Sequence, residues 1–446
     1  MISAAPNDPW STGSPRRGGV LSAALMAAVI AASVGHAAWL FASGRVHNND
    51  FKHLWAGAVI LAQGGNPYDP DVLLLAARQY GFESINPYVY LPATGLMLRP
   101  LAWLSFPAAA AVWFWGNLAL AWACVLWGPR ALAVPFRDRA RWAGALFLTL
   151  PTALQGFGVS PFLRQMTAGQ LNVGVLAAIL GSVTLLIRGR EVAAGVILGL
   201  AAAFKIAPAF LIVVLAGMRR WRAAAAAVGT LGLGLALSVG LVGWETHRAA
   251  IEVLRQMGYG SSTWAEFQMD FYRDPFNQSF NALFHHLVTE NPHTRPWFDW
   301  GPRTADALTW LASLGTLGLF LASVLRYRRR PYFSPRWGEA ETELFMAGVI
   351  VMLLLPSLMW DHYMVQALAP LLWLFGAMNV RRRPDLAIFA AAAWGLFAVP
   401  WVHTGTVWRQ GAGVLLLSIR LWGALLLLAV LTAQSGRRWR EGITRR

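Results

Sequence analysis

"VLSAALMAAVIAASVGHAAWLFASG", residues 20–44, runs for 25 positions without a charge. A helix needs about 20 apolar residues to cross roughly 30 Å of hydrocarbon, so this run predicts a membrane span. Arg16 and Arg17 precede it, but no small-x-small cleavage site separates it from the next charged residues, which favours a retained helix over a signal peptide. The rest of the chain repeats the pattern. It has 446 residues, 57% of them hydrophobic and only 13% charged, with a mean hydropathy of +0.47. That much apolar surface exceeds what one soluble core would bury.

About thirteen apolar segments follow one another, near 20–44, 88–106, 110–128, 142–158, 171–187, 191–204, 207–218, 223–243, 304–325, 342–359, 363–379, 385–400 and 411–433. The net charge of +16 is gathered between them in short arginine clusters, at 15–17, 188–190, 219–222, 326–330, 381–383 and 437–440. Such clusters are topology signals, not a nucleic-acid footprint, and they put both termini in the cytoplasm. Both ends inside require an even number of crossings, hence about twelve. The segment 90–106, broken by Arg99 and Pro100, is a candidate for not crossing alone. The loop "GPRALAVPFRDRARW" (128–142) fits no simple count. Two hydrophilic stretches, 45–87 and about 244–302, belong on the outer face. The first predicts two short amphipathic helices at the interface, parted by Gly64-Gly65-Asn66-Pro67. The expected organisation is a cytoplasmic tail 1–19, one transmembrane domain 20–435 and a basic cytoplasmic tail 436–446. Segments 191–204 and 207–218 read as a hairpin turning at Lys205 to Pro208.

Polar groups inside such a chain are costly and mark candidate sites. Lys205, one of only two lysines, stands in "LGLAAAFKIAPAFL" (198–211) and suits an anionic head group, or alternatively snorkels or pairs with a carboxylate. In "TAGQLN" (167–172), Gln170 and Asn172 suit sugar hydroxyls, or simply cap the next helix. In "DPFNQSFNALFHHL" (274–287), Asn277, Gln278 and Ser279 open an amphipathic helix, while His285 and His286 read as packing residues. "LLPSLMWDHYMVQALAP" (354–370) presents Trp360, Asp361, His362 and Tyr363, and the histidine suits a phosphate oxygen. In "NNDFKHLW" (48–55), Asp50 either caps a helix or serves as a general base for an acceptor hydroxyl, with Lys52 and His53 placed to hold a phosphate. Asn66, Tyr68, Tyr90, Asn277, Gln278, Ser279, Trp360 and Asp361 are further candidates for binding the sugar or the acceptor. The single cysteine, Cys124, permits no internal disulfide and no thiolate cluster. No P-loop, zinc motif or dinucleotide fingerprint occurs, so neither a metal nor a cofactor is expected.

The ordered set "NNDF", "GGNPYDP", "YVYLPATGLMLRPLAWL", "GQLN", "AAGVILGLAAAFKIAPAFL", "RRWR", "NQSF" and "SLMWDHY" resembles glycosyltransferase family 87 over about 45–370. The resemblance implies an all-α polytopic membrane protein of the GT-C glycosyltransferase type. It also implies inverting transfer of a sugar, mannose above all, from a polyprenyl monophosphate to a glycolipid or glycan acceptor on the outer face of the plasma membrane. Asp50 would be the base, His362 would contact the donor phosphate, and Lys205 would be the family's membrane lysine. This chain has "YVYLP" where many members read Tyr-x-Tyr-Pro-Pro and "WDHY" where Trp-x-His-His is common, which bears on donor specificity. The rival reading is a transporter or flippase of a lipid-linked sugar that binds through the same groups without chemistry.

Overall fold

The computed structural model describes residues 16–153, 160–267, 269–296, 298–329, 336–398 and 406–444. Part of the expected segment 142–158, part of the cluster 326–330 and most of the tail 1–19 therefore lie outside the described residues. Helices make up almost all of the regular structure, with one small hairpin of strands Thr263–Trp264 and Met269–Asp270, in which Thr263 pairs with Asp270 and Trp264 with Met269. The chain divides into two compact units, Met1–Arg45 and Val46–Arg446.

The first unit is the helix Arg16–Ala42, whose residues Gly19–Ala42 are long and apolar enough to cross a membrane. In the second unit, Phe106–Ala131, Trp221–Val242 and Pro302–Arg328 meet the same criterion. Pro161–Ala168 and Asn172–Ile187 meet it as a pair bent by 117°, which makes four or five such spans among the described residues. Glu191–Phe204, Pro384–Ala398 and Ile419–Ala433 are apolar but shorter. The long helices turn large apolar side chains outward: Leu233, Leu237 and Leu241 on one and Leu311, Leu314 and Leu319 on another are more than half exposed. On a soluble protein such stripes would be aggregation sites, whereas against lipid they are the expected surface.

The interior is a helix buried all round. From Glu341 to Leu354 every residue of Glu339–Leu354 is buried, as expected for the run from Leu344 onward, which has no polar side chain. Close approach of Glu191–Phe204 to Trp221–Val242 depends on small residues. A Cβ at Gly195 would stand 2.1 Å from the Ala223 carbonyl oxygen, and one at Gly199 2.5 Å from that of Ala227, the small-residue contact that membrane helices use to pack.

Three local expectations are resolved here. The 90–106 segment forms only the 11-residue helix Pro92–Ala102, about 16 Å long at 1.5 Å per residue and too short to span. The 128–142 stretch holds the end of helix Phe106–Ala131, the turn 132–136 and the start of helix Arg137–Ala153, where the Arg139 guanidinium donates to the carbonyls of Phe375 and Met378. The stretch 45–87 does form two helices, Asn49–Ala62 and Pro70–Gln79. The first is not an exposed amphipathic strip, however: Phe51 and His53 to Leu61 are all buried, because Pro92–Ala102 covers it.

Candidate functional site

The helix Asn49–Ala62 starts at Asn48, which adopts a left-handed backbone conformation and makes no side-chain cap. Asp50 in its first turn does not cap the helix either. Its Oδ1 accepts a hydrogen bond of 2.9 Å from Asn86 Nδ2, and the Gln170 side chain bonds the same carboxylate. The carboxylate is 15% exposed and opens into a cavity of about 360 Å³. Asn49, His53, Tyr90, Arg164, Trp360 and His362 are among the other residues of the wall. The volume falls within the roughly 300–1,000 Å³ of small-molecule sites.

Burial alone would raise the pKa of Asp50, but the neighbouring His362 and His53, the Gln170 bond and Arg164 outweigh it and hold the carboxyl below its ordinary value. Asp50 is thus a carboxylate at neutral pH. Burial lowers the pKa of His362 and of His53, against the opposing pull of the Asp50 charge. His362 Nε2 lies 4.0 Å from Asp50 Oδ2, too far for a hydrogen bond but close enough for one ligand oxygen beside the gap to bond both. On its other side, Nδ1 is 3.5 Å from Asp361 Oδ1. The His362 ring lies parallel to Trp360 and edge-on to Tyr363. His53 stacks on Tyr90, and its Nε2 is buried without a hydrogen-bond partner, a group that a ligand would satisfy.

Arg164, which sequence reasoning passed over, stands opposite. Its Nε is 3.2 Å from Asp361 Oδ1, and its guanidinium lies 3.6 Å from the centre of the Phe276 ring. The signal was present in the sequence: an arginine within the apolar stretch "PFLRQM" (161–166) carries the same cost as Lys205.

The remaining candidates fall into two groups. Asn172 does not cap its helix, whose N-cap Leu171 has no side-chain bond. Instead its Oδ1 accepts from Lys205 Nζ at 2.7 Å and from Gln366 Nε2 at 2.9 Å, while its Nδ2 donates to Gln165 Oε1. Lys205 also lies 3.6 Å from the centre of the Tyr363 ring. Lys205 and Asn172 therefore sit behind the cavity wall, and Gln170 within it. Asn277, Gln278 and Ser279 fix the loop that carries His362. Asn277 Oδ1 accepts from Met359 N, Ser279 Oγ donates to the Ser357 carbonyl, and Gln278 N donates to that of Met359. None of the three lines the cavity, nor do Asp361 and Lys52; the Lys52 ammonium lies over the Phe82 ring. Asn66 and Tyr68 line a separate cavity.

Gly169 explains part of "TAGQLN". It ends the helix Pro161–Ala168 in a left-handed conformation, and a Cβ there would stand 2.6 Å from Phe51 Cβ. Only glycine permits both, and the turn it makes brings Gln170 to Asp50. Among the described residues no group of three or more His, Cys, Asp or Glu side chains has the arrangement of a metal site.

Fold and site together define a multi-pass α-helical membrane protein with three carboxylates, four imidazoles and the Arg164 guanidinium around one cavity. A sequence profile of glycosyltransferase family 87 matches residues 88–359, and the chain belongs to that family. Asp50 and His362 flank the matched span. Two characterised relatives carry the name polyprenol-phosphate-mannose-dependent alpha-(1-2)-phosphatidylinositol pentamannoside mannosyltransferase. The protein of Mycolicibacterium smegmatis is 25% identical over 340 residues, covering 73% of this chain and 71% of the relative. That of Mycobacterium tuberculosis is 24% identical over 334 residues, covering 73% and 68%. No solved structure matches.

Proposed function

We propose that this glycosyltransferase moves a mannosyl residue from a polyprenyl monophosphate to a hydroxyl of a glycolipid or glycan, with inversion, and that Asp50 is the general base. The observation that carries this reading is the ionised Asp50 carboxylate at the wall of a ligand-sized cavity, held by Asn86 and Gln170 with His362 across a 4.0 Å gap. The names of the two mannosyltransferase relatives support the donor class.

In the proposed reaction the acceptor oxygen attacks the anomeric carbon as Asp50 takes its proton. The bond from that carbon to the phosphate oxygen breaks, and the polyprenyl phosphate leaves with the electron pair. Proton removal in the transition state contributes about 10²–10⁴-fold. Negative charge grows on the leaving phosphate, where the Arg164 guanidinium and the His362 imidazole stand in the same cavity. Lys205 acts through Tyr363 and Asn172, as a positioning residue. The reaction takes place in this reading on the outer face of the plasma membrane, with about twelve crossings and both termini cytoplasmic. The arginine clusters support that orientation. The test is transfer of radiolabelled mannose from polyprenyl phosphate to phosphatidylinositol mannosides in liposomes, wild type against Asp50→Asn. Label transferred by the wild type alone is the expected result, and equal transfer by both would remove Asp50 from its role.

A further inference from the structure

Beside the first cavity lies a second, of about 440 Å³. The two share a wall built from two segments. In the first segment Asn86 faces the Asp50 cavity, Pro87 lines both, and Tyr88 lines the second. In the second segment, the hairpin around 263–271, Trp264, Glu266 and Phe267 line the second cavity and Met269, Asp270 and Phe271 the first. Trp264 and Phe271 touch across this wall, with ring centres 5.1 Å apart. We propose that the second cavity binds the non-reacting sugar residues of a neutral oligosaccharide acceptor, and so selects acceptors by length; this rests on the transferase reading above.

The chemistry of the lining favours that occupant. Tyr68 and Tyr88 meet edge to face at 5.2 Å, and with Trp264, all three largely buried, they make one side of the lining aromatic, the kind of surface that packs against sugar C–H groups. Trp264 is 5% exposed, and its indole Nε1 has no hydrogen-bond partner, so it offers a buried donor to a hydroxyl. Glu245, Glu252 and Glu266 supply acceptors for hydroxyl groups against the single cation Arg248. Arg248 is paired with Glu245 and Arg255 with Glu252, each at 2.8 Å, which leaves Glu266 as the glutamate of the lining with no ion-pair partner among the described residues. The lining is therefore net negative, which repels a phosphate or an anionic head group and leaves an uncharged sugar chain as the fitting ligand. The shared wall sets the second cavity next to the one that holds the carboxylate, and in the proposal a sugar chain held there passes over the rim of that wall to bring its terminal hydroxyl to Asp50.

The experiment compares acceptor mannosides of one and of three residues, with wild type, Trp264→Ala and Glu266→Ala in liposomes carrying the same donor. Wild type is expected to favour the trisaccharide in kcat/KM by about tenfold, the scale of one well-placed stacking or hydrogen-bonding contact. Each substitution should bring that ratio close to one. A second measurement is independent of turnover: calorimetric titration of the trisaccharide into Asp50→Asn, with and without Glu266→Ala. Weaker binding with Glu266→Ala supports the subsite even if no transfer is found, in which case the transferase reading alone fails. Equal use of both acceptors by wild type, or trisaccharide binding indifferent to Glu266, overturns the subsite whatever the transfer assay shows.

Discussion

Replacing Asp50 by Asn separates chemistry from architecture. The amide keeps an oxygen where Asn86 Nδ2 donates at 2.9 Å, so the helix start at Asn49 and the 86–90 segment should stay in place. What disappears is the carboxylate charge that faces His362 at 4.0 Å across the cavity gap. Loss of a positioned general base costs about 10²–10⁴ in rate, or roughly 3–5 kcal/mol of transition-state stabilisation. Donor binding should move the other way. A carboxylate repels a phosphate nearby by about 4 kcal/mol at 4 Å in an effective dielectric of 20, so its removal leaves donor affinity unchanged or improves it. The assay is single-turnover transfer from radiolabelled polyprenyl-phosphate mannose, with donor affinity measured separately by equilibrium binding. Because the wild-type pKa of Asp50 is held below the ordinary carboxylate value, the base is fully present at neutral pH. Its contribution to rate is lost only as pH falls through that depressed value, below about 4. Asp50→Asn within threefold of wild-type turnover, or a loss of donor binding equal to the loss of rate, would refute the reasoning.

Four further outcomes are expected. Arg164→Gln leaves the buried Asp361 carboxylate without its 3.2 Å partner, at a cost of about 3 kcal/mol; Arg164→Gln with Asp361→Asn should recover part of the lost unfolding free energy, and strict additivity would argue against the pairing. Lys205→Met removes the ammonium that bonds Asn172 and lies against Tyr363, and should lower turnover about tenfold to a hundredfold through misplacement of the wall; unchanged turnover would show that Tyr363 needs no such support. Gly169→Ala puts a methyl group 2.6 Å from Phe51 Cβ in a backbone conformation that alanine disfavours, so thermal unfolding should register a loss of about 1–3 kcal/mol. His286 is buried, and burial pushes its pKa from 6.5 down to about 4. Its folded-state pKa is the lower one, so the associated stability is present above pH 6.5 and is lost as pH falls from 6.5 towards 4, by roughly 3 kcal/mol at 1.36 kcal/mol per tenfold. A His286→Asn protein should show a flatter stability profile over that window, read by denaturant unfolding in detergent.

Much of the architecture is written locally. The run 20–44 has the length and composition of a span wherever it is placed, and an uncharged helix such as Ala209–Gly217 has no polar face to offer water. The cost of a cation in an apolar stretch is also local, which made Lys205 conspicuous before any fold was known and would have exposed Arg164 to the same reasoning. Helix limits depended on more than composition. The apolar segment 90–106 gives only Pro92–Ala102, because a proline opens that helix and a turn at Trp103 to Ser105 ends it before the next, Phe106–Ala131, starts with its own proline in the first turn.

The candidate site divides along the same line. Asp50 and His362 could be picked out as polar groups in unfavourable surroundings, but their separation of 4.0 Å joins positions 312 residues apart in the chain. Asn172, Asn277 and Gln278 carry the side chains of sugar binders, yet their amides hold Lys205 and the loop at 357–363, because a buried amide bonds whatever group the packing brings within about 3 Å. Residue type and hydropathy are properties of the chain, and from them the sequence alone determined a membrane protein with costly polar groups. Which of those groups face one cavity depends on how helices distant in sequence close against each other, and only the tertiary structure decided that.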